Sequence, residues 1–173
     1  MSMLYRINAG KIPADSWIQD SEIGGGRIIG EVCHFIDFMT FVNGSSPISV
    51  SAVALPDNEN LNDSVNISLK FENGSIGTIL YISNGCKSLS KEYFEMNTYG
   101  SSVVIDDFKV MKSYAKGKVK KTKLFNQNKG QREMVEAFIS GIESSGQSPI
   151  PFKETYLITL ATFKAVTSIR NDG

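Results

Sequence analysis

Apolar positions along the chain follow a helical period first, then a strand period, then a helical one again. At about 100° per residue, Ile28, Val32, Phe35, Ile36, Met39 and Val42 share one side of a helix over 27–42. Arg27, Gly30, His34, Asp37 and Phe41 share the other side, with Glu31 and Phe38 at its edge. Because both margins are apolar, most of the helix is expected to be buried. Asn43-Gly44 is a helix-stop signal.

The period then becomes two. Strands are predicted over 4–8, before the helix, and over 48–55, 65–71, 76–83, 92–99, 103–105, 108–114 and 119–124 after it. Val65 to Phe71 alternates without a break, which predicts one buried and one open face. Asn73-Gly74 and Lys116-Gly117 are hairpin turns, and Gly100 is a turn. Polar loops are expected over 58–63, 84–90 and 146–151, and 9–22 reads as irregular. Met1-Ser2-Met3 reads as a start placed ahead of a strand that begins abruptly. Helical spacing returns with Met134, Val135, Phe138, Ile139 and Ile142, and again over 154–169. Helix, then about seven strands, then two helices predicts an α+β fold. Its sheet should be open and mainly antiparallel, with the helices on one face. The second face, with Asn66, Ser68, Thr78 and Tyr81, is left for solvent or a subunit interface.

Composition narrows the function classes. The 173 residues make one domain with room for a sizeable core, and 41% hydrophobic and 21% charged residues are ordinary for a globular chain. Zero formal net charge gives no support for a nucleic-acid or anionic-membrane partner. No signal-peptide pattern or long apolar run occurs, and two cysteines build no disulfide framework, so a cytoplasmic setting is expected.

Candidate chemistry centres on His34, the only histidine, with Asp37 one turn on. An imidazole can pass a proton near neutral pH, and a carboxylate can orient it. The bland alternative is a histidine satisfied by a helix–loop contact. Glu31, Cys33, His34 and Asp37 do not make a metal set, because Cys33 points to the apolar margin and no second cluster supplies ligands. Gly24-Gly25-Gly26 lacks the lysine and serine of a phosphate cradle and reads as a close backbone approach. Trp17 and Arg27 are candidates to stack on or hydrogen-bond a polar ligand such as a sugar. The five lysines between Lys116 and Lys123 read as a solvated, defended sheet edge.

Trp17, Asp20, Gly24-Gly25-Gly26, His34 and Asp37 together resemble the C-terminal domain of the Gfo/Idh/MocA oxidoreductases, which include glucose–fructose oxidoreductase and inositol dehydrogenase. The usual pattern is glycines, an aspartate, a histidine four residues later and a further aspartate. Phe71-Glu72-Asn73-Gly74-Ser75-Ile76-Gly77 and Pro149-Ile150-Pro151-Phe152 are similar to the family's sheet hairpin and the approach to its last helix. Tyr5-Arg6-Ile7-Asn8-Ala9-Gly10 with the Gly24–Asp37 stretch resembles a subgroup in which this domain ends a longer chain, sometimes behind a region like zinc-type alcohol dehydrogenases. The resemblance implies a fold like the C-terminal domain of glyceraldehyde-3-phosphate dehydrogenase. It also implies NAD(P)-dependent oxidation or reduction of a sugar, polyol or nucleotide sugar, and a homo-oligomer formed through the sheet face.

By the same resemblance His34 matches the proton-moving histidine and Asp37 the later, orienting aspartate. The first aspartate is replaced by Gly30, with Glu31 as a substitute about 100° round the helix. Trp17, Arg27, Asp37, Arg6 and Asn8 are the expected substrate-side residues, and His34 and Glu31 the catalytic candidates. The family's Rossmann domain and its Glu-Lys-Pro lysine are absent from the sequence. The chain is therefore expected to be a single substrate-binding and oligomerisation domain over 1–173, inactive alone, with its cofactor held by a missing N-terminal domain. The rival expectations are a stand-alone sugar-binding module and a pure dimerisation domain.

Overall fold

The computed structural model describes residues 1–20, 22–56, 61–144 and 146–171; the polar loop expected over 58–63 lies outside them at 58–60. The chain forms β1 (Ser2–Asn8), a π-helical turn (Ile28–Val32) running directly into α1 (Cys33–Asn43), then β2 (Pro47–Ala54), β3 (Val65–Phe71) and β4 (Ile76–Ile82). Next come β5 (Glu92–Thr98), β6 (Ser101–Asp106), β7 (Val110–Ala115) and β8 (Lys118–Lys123), followed by α2 (Gln131–Ser144) and α3 (Phe152–Arg170). All eight strands join one open sheet in the order β2-β3-β4-β1-β5-β6-β7-β8. Only β1 and β4 run parallel. The architecture is the α+β class that the sequence predicted.

β1 is the seam between two antiparallel meanders, β2–β3–β4 and β5–β6–β7–β8. Ser2 and Met3 belong to this strand, and Met3 is buried. Register sets the faces. Val65, Ile67, Leu69 and Phe71 of β3 are buried while Asn66, Ser68 and Lys70 are exposed, and Ile79 and Tyr81 lie opposite Ile67 and Val65 on the buried side. Tyr81 therefore belongs to the core face and not to the open face with Asn66 and Ser68. β4 is apolar on both faces, so its pattern alone did not fix its phase.

Against the core face α1 and the π-turn lay Ile28, Val32, Phe35, Ile36 and Met39, and α3 lays Ile158, Ala161 and Ala165. Tyr5 lies at the centre of an aromatic cluster, edge-on to Phe35, Phe38 and Phe94. Asn43 ends α1, and Gly44 takes the left-handed conformation that stops it.

Most of the stretch over 27–42 is buried or half-buried, as expected, and only Gly30, His34 and Phe41 are exposed, Phe41 by 78%. One expectation needs correction. The stripe of Met134, Val135, Phe138, Ile139 and Ile142 exists, but no residue of α2 is buried. Two of the three helices thus pack on the sheet. α2 instead flanks a groove of about 570 Å³ shared with Phe41 and the Pro149–Pro151 loop. The β7–β8 hairpin also runs beyond the helical cover, and every residue of β8 is exposed.

Candidate functional site

The site is built on the turn that leads into the π-helix. The Asp20 carboxylate accepts the backbone N–H groups of Glu22 and Ile23 at 2.8 and 2.9 Å. Its carbonyl accepts those of Gly24 and Gly25, and the Ile18 carbonyl accepts that of Gly26. These bonds consume the glycine N–H groups internally, so they do not form a phosphate cradle. Gly24 is required by space: a Cβ there would lie 2.4 Å from the Trp17 carbonyl oxygen and 2.5 Å from that of Ile18. Both obstacles are backbone and cannot swing aside. Gly24→Ala is expected to cost about 2 kcal/mol, read as a lower urea midpoint. Gly30→Ala, whose Cβ meets nothing within 4 Å, should not lower it.

A π-turn is a wide turn of helix that changes which residues stack along one face, and such turns recur at functional sites. Here it sets Arg27 over the Tyr81 ring, 5.1 Å from its centroid. Arg27 is only 3% exposed. Its Nη1 donates to the Gly10 carbonyl and its Nη2 to Glu31 Oε1 at 3.5 Å. The Tyr81 hydroxyl donates to the other Glu31 oxygen at 2.7 Å. Burial pushes the Tyr81 hydroxyl pKa well above the usual phenol range, and the bond to Glu31 adds to the rise. This Arg27–Glu31–Tyr81 cluster was not visible in the sequence as a unit. The sequence pattern had placed Tyr81 on the open face, and only the strand register brings it to the core side.

His34 stands exposed in the first turn of α1. Asp37, half-buried, follows one turn on. Burial raises its carboxyl pKa, and His34 partly offsets this. The Cys33 thiol is raised chiefly by burial, and the charges of Asp37 and Glu31 both bear on it. Two carboxylates therefore flank the turn that carries the imidazole.

The remaining candidates lie elsewhere. Trp17 is 66% exposed in the turn before the glycines. Arg6 and Asn8 do not join His34. Arg6 Nη1 donates to the Ser90 carbonyl at 2.7 Å and the guanidinium stacks on Tyr93. Asn8 Nδ2 donates to the carbonyls of Cys86 and Leu89. Both side chains anchor the loop before β5. Two buried polar clusters escaped the sequence reading. Tyr5 donates to Glu92, which also pairs with Lys129. Ser83 and Gln19 both donate to Asp63. Their members lie far apart in sequence, which left no local signal. Among the described residues no three His, Cys, Asp or Glu side chains are placed to hold a metal, and no helix is long and apolar enough to cross a membrane.

Residues 2–102 match the model of the GFO/IDH/MocA C-terminal domain. No curated protein matches the chain in sequence. Among solved structures the fold is similar to UDP-N-acetylglucosamine 3-dehydrogenase GnnA from Acidithiobacillus ferrooxidans, with a TM-score of 0.79 at 13% identity, covering 99% of this chain and 54% of that one. It is also similar to aldose-aldose oxidoreductase from Caulobacter crescentus complexed with glycerol, with a TM-score of 0.78 at 16% identity over 99% and 54% of the two chains. A third is levoglucosan dehydrogenase in complex with NADH and levoglucosan, with a TM-score of 0.80 at 18% identity over 100% and 57%. The chain thus spans little more than half the length of each.

Proposed function

The chain belongs to the GFO/IDH/MocA C-terminal domain family, and on that premise we propose that it is the substrate and oligomerisation half of a cytoplasmic NAD(P)-dependent oxidoreductase acting on a sugar, polyol or nucleotide sugar. One observation carries the reading most directly. The only imidazole of the chain stands exposed on a helix whose other side is core, with a carboxylate one turn before it and another one turn after.

Such an imidazole is suited to take the proton of a substrate hydroxyl while the carbinol C–H bond gives up its hydride. Asp37, one turn on, is its proposed orienting group. The glycine turn is bonded internally and leads from no strand. The hydride acceptor is proposed to be held by a dinucleotide-binding half of the parent protein, and the chain alone is expected to be inactive.

The open sheet face is the proposed contact with a second copy. Across it Ser51, Ser68, Thr78, Leu4, Glu95 and Val104 form one row, a mixed surface that suits either water or a subunit interface. The experiment is a turnover assay of the longest gene product that contains this segment, with NAD and NADP against sugars, polyols and nucleotide sugars. Cofactor-dependent turnover is the expected result, with none from the 173 residues alone. A chain that binds sugars while no longer product turns any over would replace the dehydrogenase reading with the binding-module one.

A further inference from the structure

We propose that Asn84 is a site of spontaneous modification, where the side-chain amide is lost to leave an aspartyl or isoaspartyl residue at the start of the loop before β5. The inference is independent of the dehydrogenase reading. The sequence holds three Asn–Gly steps, Asn43-Gly44, Asn73-Gly74 and Asn84-Gly85. A glycine after asparagine permits a ring closure that a side chain at that position obstructs. The glycine backbone nitrogen attacks the asparagine Cγ and a C–N bond forms. The amide nitrogen takes up the displaced proton and leaves as ammonia. Water then opens the succinimide at either carbonyl, and no oxidant or reductant is needed.

The fold treats the three steps differently. The Gly44 N–H donates to the Thr40 and Phe41 carbonyls at 2.8 and 3.3 Å, and Asn43 Oδ1 accepts Asn73 Nδ2 at 3.0 Å. The Gly74 N–H donates to the Phe71 carbonyl at 2.9 Å, and Asn73 Oδ1 accepts the Ser75 N–H at 3.0 Å. At both steps, bonds to the attacking nitrogen and to the target amide must break before attack. Asn84 is exposed, and among the described residues neither its side chain nor the Gly85 N–H has a hydrogen-bond partner.

Packing also holds this reactive step in place. A Cβ at Gly85 would lie 2.1 Å from Asn8 Oδ1 and 2.9 Å from Asn8 Cγ. Asn8 is 8% exposed, and its Nδ2 is committed to the Cys86 carbonyl at 2.7 Å and the Leu89 carbonyl at 3.2 Å. It cannot swing aside without giving up those bonds, so position 85 has to be glycine. The feature that seats the loop on Asn8 is thus the feature that makes Asn84 reactive. An isoaspartyl link adds a carbon to the main chain between 84 and 85. That shifts the Cys86 carbonyl away from Asn8 and loosens the loop, while Arg6 keeps its hold on the Ser90 carbonyl.

The test ages the 173-residue chain in mildly alkaline buffer, folded and in urea, and follows each asparagine by peptide mass spectrometry. In the folded chain Asn84 should convert at least about tenfold faster than Asn43 or Asn73, whose bonds must first open locally. In urea the three should convert at similar rates. Hydrogen exchange over 85–90 should then be faster in the aged chain. It should be unchanged in fresh Asn84→Asp, which carries the new charge on an ordinary backbone.

An Asn84 that keeps its amide through ageing of the folded chain overturns the proposal. So does conversion no faster than at Asn43 and Asn73. Exchange over 85–90 that ageing leaves unchanged overturns the coupling to the Asn8 anchor.

Discussion

His34→Ala, placed in a gene product that also carries a dinucleotide-binding half, is expected to lower kcat by about 10²–10⁴-fold, the usual contribution of a positioned acid–base group. The chain holds no second imidazole to take over. Asp37 is half-buried and lies one turn further along the helix, so it does not stand where the exposed imidazole does. A loss confined to proton transfer shows as a fall in kcat with a far smaller change in KM. The fold should be untouched, since the imidazole is exposed and packs into no core contact. Steady-state kinetics at saturating dinucleotide, beside a melting curve, separates the effects. Turnover equal to wild type would move proton transfer to another group.

The largest effect on stability should come from Tyr5→Ala, about 4 kcal/mol, in the range for removing a large ring from a packed core. Tyr5 is 2% exposed and meets three aromatic rings from two directions, Phe35 and Phe38 of α1 and Phe94 of β5. Its hydroxyl donates to the buried Glu92 at 2.6 Å. Alanine would leave a cavity where α1 meets the central strand and would also deprive Glu92 of a donor. Tyr5→Phe keeps the ring and isolates the second term, about 1–2 kcal/mol, moderated by the bond from Lys129 to the same carboxylate. Urea unfolding of both variants checks the ordering. Equal losses would place the whole effect in the hydrogen bond.

Much of this fold was legible. The alternation from Val65 to Phe71 gave a strand with the correct buried face, Asn73-Gly74 its turn, and the Ile28–Val42 spacing the core side of α1. Strand order was not legible, because a period of two shows which face is buried and says nothing about which strand lies alongside. The central, parallel place of β1 is a case of this. The sequence also showed the apolar stripe of α2 without showing that it stays largely exposed beside a groove.

At the site, His34 and Asp37 could be proposed from their spacing. The Arg27–Glu31–Tyr81 cluster could not. Arg27 falls on the polar side of the helical pattern and reads as a candidate to meet a polar ligand, yet its long side chain folds down over the Tyr81 ring supplied by β4. Only the tertiary structure shows that this guanidinium is roofed over.

The seam formed by β1 also has a kinetic consequence. The β3–β4 pair and the β5–β8 meander can zip up from short turns, but β1 must find partners far along the chain: Tyr5 and Glu92 are 87 residues apart. Such distant pairing carries its loop-closure entropy before it returns any contact energy, which slows folding. During synthesis β1 emerges ahead of both neighbours. Until it is enclosed, β4 and β5 each present a bare, partly apolar edge, the geometry that invites pairing with another chain. The step that joins the two halves of the sheet is therefore also the step at which this protein is most exposed to aggregation.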